Sequence, residues 1–146
     1  MIGQTIQLAM TPAFALVAIG NLMAVLSTRL GRVVDRSRQL QALHASTSGP
    51  AHDMVVIEMR EVDRRMTLIT QSIRLMVLSA VAIGTTVALL FLDSLLDGDI
   101  QAASAVFFII AIALLMASLI YFLRETQVAA ATLRIPRDYL ELHRKL

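Results

Sequence analysis

The sequence predicts an all-α membrane protein, with three transmembrane helices and a long cytoplasmic antiparallel helical hairpin between spans one and two. Three observations predict it. There are three long apolar runs, every basic side chain falls in just two segments, and the apolar residues between the first two runs recur at helical spacing. The composition agrees: 57% of residues are hydrophobic and 16% charged, with a mean hydropathy of +0.71. Soluble domains lie nearer about 45–50% apolar and about 25% charged. Cysteine is absent, which excludes disulfides and thiolate chemistry.

The first apolar run, 6–26, carries no formal charge, and the others cover 75–92 and 102–123. Each is close to the ~20 residues that cross ~30 Å of hydrocarbon as a helix. A helix is the natural spanning form because lipid offers no partner to backbone N–H and C=O groups. A cleaved signal peptide is the rival reading of the first run. It requires a basic leading segment, and residues 1–26 contain no Lys or Arg. Pro12 removes one backbone donor and invites a kink in span one.

Orientation follows from the basic residues. Eight arginines lie between spans one and two: Arg29, Arg32, Arg36, Arg38, Arg60, Arg64, Arg65 and Arg74. The remaining five basic residues, Arg124, Arg134, Arg137, Arg144 and Lys145, follow span three. The loop between spans two and three holds Asp93, Asp97 and Asp99 and no base. The positive-inside rule therefore places the 28–74 segment and the 124–146 tail in the cytoplasm, with the N-terminus periplasmic. This reads the high pI as topology rather than as nucleic-acid binding.

Between spans one and two, the strong breaker is Ser46-Thr47-Ser48-Gly49-Pro50, followed by Asp53 as a candidate N-cap. Span one is thus expected to continue as helix to about residue 45, and a second helix to run from about Met54 into span two. Val55, Met59, Val62, Met66, Ile69, Ile73 and Met76 alternate steps of four and three, a coiled-coil-like seam. The outgoing arm offers Leu26, Leu30, Val33, Ser37, Leu40 and His44. Folding about Gly49 brings together a charge network drawn from Arg32, Asp35, Arg36, Arg38, Glu58, Glu61, Asp63 and Arg65. Glu61 and Arg65 can also pair within one helix. Solvated ion pairs of this kind contribute little each.

Inside the membrane, Ala80, Gly84 and Ala88 form a small-residue ridge suited to close helix approach, and Asn21 is a candidate interhelical contact. Ser72, Ser79, Thr86 and Asp93 recur every seven residues, echoed in span three by Ser104, Ala111, Ser118 and Glu125. One reading makes the first stripe the lining of a pore in a homo-oligomer. The other makes it a set of ordinary helix–helix and own-backbone hydrogen bonds. No phosphate loop, nucleophile elbow or metal-ligand spacing is present. His44 and His52 flank the hairpin tip and can meet, and an enzyme or a bound cofactor is not expected. The expected partners are the lipid bilayer, further copies of the chain or another membrane protein.

The stretch from Ile6 to Arg134 resembles a family of small bacterial membrane proteins known only as a domain of unknown function. Ile6-Gln7-Leu8-Ala9 with Pro12, and Arg29-Leu30-Gly31-Arg32-Val33-Val34-Asp35-Arg36, carry the likeness. Arg64-Arg65 and Phe122-Leu123-Arg124-Glu125 complete it. The resemblance implies a bacterial inner membrane and three spans, and implies no activity. Two functions remain open: a self-associating protein forming an ion-conducting or small-solute pore, or a structural or accessory subunit of a larger membrane complex.

Overall fold

The computed structural model describes residues 2–96 and 100–132. Asp97 and Asp99 of the acidic loop, His143 and the segment from Pro136 lie outside the described residues. The chain forms α1 (Ile2–Ser46), α2 (Pro50–Leu96) and α3 (Gln101–Thr132). All three are long and apolar enough to cross a membrane. Each also runs past its apolar stretch, as the absence of internal breakers requires. At 1.5 Å per residue, α1 and α2 are each about 70 Å long and α3 about 48 Å. Helix α1 continues through Pro12, whose side chain is buried.

The breaker cluster stops α1 in a definable way. Ser46 Oγ and Thr47 Oγ1 both donate to the Leu43 carbonyl, at 3.1 and 2.8 Å, satisfying an acceptor the helix end would leave open. Gly49 then turns the chain at φ +66°, where a side chain would be strained. The expected start near Met54 with Asp53 as N-cap is late by one turn: α2 begins at Pro50. Proline fits the first helical position because its missing N–H has no partner there anyway. The Gly49 carbonyl accepts from His52 N and Asp53 N. Asp53 instead places its charge in the first turn, where the helix dipole favours it.

Helix α2 is the middle element and uses two different faces. Toward α1 it presents Val62, Ile69, Met76 and Ile83, spaced by seven. Helix α1 answers with Ile19, Leu26, Val33 and Leu40 at the same spacing, and all eight are buried in one cluster. Leu30, Val55, Met59, Met66 and Ile73 pack around them, half-buried. Burial of Leu40 and Val62, well beyond the apolar runs, contributes about 1.5–3 kcal/mol per side chain where water is the alternative. Toward α3 the buried residues of α2 are small and polar. Ser72, Ser79 and Thr86 lie against the buried Ser104, Ala111 and Ser118. The outer surfaces are apolar: Phe14, Val17, Val81, Ile109 and Met116 are all exposed. Such a surface suits lipid and would be an association hazard in water.

Candidate functional site

The α2–α3 contact is built upward from its serines. Ser79 Oγ donates to the Ala111 carbonyl at 2.7 Å. One heptad toward the hairpin, Ser72 Oγ lies 2.9 Å from the Ser118 carbonyl, while Ser118 Oγ donates to the Ser72 carbonyl at 2.7 Å. This reciprocal pair requires side chains no larger than serine on both helices, which brings the two backbones close. Thr86 Oγ1 donates within its own helix to Ala82 O at 3.0 Å. Asp93 Oδ1 accepts the Ile100 N–H at 2.8 Å, tying the end of α2 to the start of α3.

The pore-lining expectation for Ser72, Ser79, Thr86 and Asp93 is therefore corrected. The first three are buried inside the chain and cannot face a lumen shared with other copies. Asp93 is half-buried and occupied in the turn. The physical reason is that α3 covers the same face that a conduit would need.

One further heptad along the same line lies the most unusual group of the described residues. Glu125 of α3 is completely buried and is held by two arginines. Arg29 of α1 donates from Nη1 to Oε2 at 2.9 Å, and Arg65 of α2 donates from Nε and Nη2 to Oε1 at 3.1 and 3.0 Å. Arg29 also lies over the Phe122 ring, 5.2 Å from its centroid. A buried carboxylate is costly unless paired and hydrogen-bonded, and here both oxygens are satisfied. The cluster joins all three helices.

The charge network reduces to fewer contacts than its residues suggested. Arg36 and Glu58 form a two-bonded ion pair between α1 and α2, at 2.7 and 2.9 Å. That bond raises Arg36 above its ordinary value, against a smaller opposing effect of desolvation. Arg65 turns to Glu125 across helices. Arg32, Asp35, Arg38 and Asp63 are exposed and make no ion pair among the described residues. Glu61 is also exposed. The packing residues divide as well. Ala80 is half-buried against the core, whereas Gly84 and Ala88 face outward, with nothing within 4 Å of a Cβ built on Gly84. Asn21 is exposed rather than buried between helices of this chain. The His44 and His52 rings do meet, with centroids 4.4 Å apart. Among the described residues, no three metal-ligating side chains come together.

The seven-residue spacing of α3 puts Glu125 on the Ser104–Ser118 stripe but does not by itself point to Arg29 and Arg65. A signal was available. Continuing each stripe by one heptad toward the hairpin leads from Ser72 to Arg65 and from Ser118 to Glu125, an opposite-charge pair at matching positions.

Three long apolar helices joined in this way define a multi-pass membrane protein. The chain belongs to the family described as "Protein of unknown function (DUF2721)", whose model matches residues 9–135. No curated protein and no solved structure matches it.

Proposed function

We propose that the protein is a non-enzymatic, self-associating structural or accessory subunit of a bacterial inner membrane, rather than a pore. The observation that carries this reading is the burial of Ser72, Ser79 and Thr86 within the chain. The regular polar stripe that favoured a conduit is used up in holding α3. The chain invests its polar contacts in rigidity: serine pairs in the span, then the Glu125 cluster where the apolar runs end. The basic residues support a periplasmic N-terminus and a cytoplasmic C-terminus, with the α1–α2 hairpin standing in the cytoplasm as a stalk for partners. Self-association is supported by Gly84 and Ala88, small and outward-facing, which leave room for a second helix.

The test is cross-linking in native membranes, using cysteines introduced into a chain that has none. Gly84→Cys should form a disulfide-linked dimer, and Ile109→Cys on the exposed face of α3 should not. Equal cross-linking at both, or at neither, defeats the self-association reading. Reconstituted protein should give no ion flux above empty liposomes; flux that tracks the amount of protein would restore the pore.

A further inference from the structure

We propose that the crevice bounded by Arg29, Arg32 and Arg65 binds the phosphate headgroup of an anionic phospholipid from the leaflet on the hairpin side. The crevice, of about 300 Å³, is closed on its third side by Thr126, Ala129 and Ala130 of α3. The alanines leave the space open.

The charge balance favours an anion. Three guanidiniums face one carboxylate, Glu125, whose two oxygens are both engaged by Arg29 and Arg65. Arg32 is exposed and has no ion pair among the described residues; Asp35, one turn further along α1, does not engage it. Arg29 retains its Nε and Nη2 donors and Arg65 its Nη1, beyond those given to Glu125. A guanidinium fork matches phosphate oxygens in geometry as well as charge.

Depth and shape favour a lipid over a free anion. Arg29 follows the end of the first apolar run by three residues, which is headgroup level. A second cavity, of about 370 Å³, shares Arg29 and Arg32 and continues along Thr28, Val25 and Ala24. Val25 is exposed, so a polar recess opens directly onto an apolar track. An acyl chain can occupy the track while its phosphate sits among the arginines; inorganic phosphate has no use for the track. Basic recesses between membrane helices bind acidic headgroups by this chemistry.

The experiment uses the delipidated full chain in neutral detergent, titrated with dioleoylphosphatidylglycerol, dioleoylphosphatidylcholine or inorganic phosphate. Bound lipid is read by native mass spectrometry and by the shift in melting temperature. Phosphatidylglycerol should bind at least about tenfold more tightly than phosphatidylcholine, as expected of charge-assisted contacts. Arg32→Gln should weaken it about fivefold, with Arg32→Lys intermediate. Arg38→Gln, an exposed arginine further along α1, should change nothing. Ala24→Trp, which fills the track, should weaken the lipid without altering the far-UV spectrum. The proposal is overturned if the two lipids bind equally, or if inorganic phosphate competes as well as phosphatidylglycerol. Equal losses in the Arg32 and Arg38 variants would also overturn it, since they indicate diffuse attraction.

Discussion

Replacing Glu125 by Met removes the only acid of the three-helix cluster while roughly keeping its volume. Three charge-assisted hydrogen bonds disappear, and two guanidiniums are left facing each other. Breaking a fully buried pair costs about 3–5 kcal/mol. Here Arg29 and Arg65 keep 36% and 26% of their side-chain exposure, so both can turn toward solvent or headgroups. The expected loss is therefore smaller, roughly 2–3 kcal/mol. The assay is reversible unfolding in mixed micelles, followed by far-UV circular dichroism. A companion variant, Arg29→Met with Arg65→Met and Glu125→Met, removes the whole cluster. It should recover to within about 1 kcal/mol of wild type, because apolar side chains of similar size replace buried ions without desolvation cost. A single variant within about 0.5 kcal/mol of wild type would refute the reasoning, being the range of an ordinary surface change. So would a triple variant no better than the single one, which would locate the cost outside the charges.

Other expectations follow from the same geometry. Ser79→Ala should cost only about 0.6 kcal/mol, typical of an interhelical hydrogen bond in a membrane, whereas Ser79→Leu should part α2 from α3 and cost about 1–3 kcal/mol by overpacking; similar melting of the two variants would contradict a close contact there. Gly84→Leu should leave the melting of the single chain unchanged and abolish the dimer cross-link of an Ala88→Cys chain, since the space above Gly84 is open within the chain; a destabilised monomer would show the face is not free. Arg36→Gln should cost no more than about 1 kcal/mol, less in high salt, because the pair with Glu58 is well exposed. The raised value of Arg36 means its contribution is complete below the ordinary arginine range and is lost only above it, so the effect of this variant should not vary between about pH 6 and 9 through Arg36. Ser48→Cys should resist a membrane-impermeant thiol reagent applied from the periplasm while Leu96→Cys reacts; the reverse pattern would invert the topology.

Much of this fold was legible because the relevant periodicities are local. Leu26, Val33 and Leu40, and Val62, Ile69 and Met76, lie on the apolar seams read from spacing, and all six are buried. The seven-residue stripe of Ser72, Ser79 and Thr86 was also visible. What spacing could not say is what the stripe faces. A serine every seventh residue suits a water-lined path and a tight helix contact equally well. The choice depends on whether α3 returns along that side, which is a tertiary fact. The same limit hid the partnership of Arg29 with Glu125, which are 96 residues apart. In the sequence Arg29 is one of eight arginines between the first two spans, and nothing in its own neighbourhood distinguishes it from Arg32.

The uninterrupted length of α2 has a mechanical consequence. From Pro50 to Arg65 the helix extends about 22 Å to the hairpin tip, and from Arg65 to Leu96 about 46 Å through the other end. The apolar seam ties it to α1, and Glu125, Ser72 and Ser79 tie it to α3, so no part of the middle span is free to pivot alone. A sideways pull at the tip, where His44 and His52 meet, is carried into the spans by packed helices moving together. Whatever holds the tip therefore also sets the tilt of the middle span.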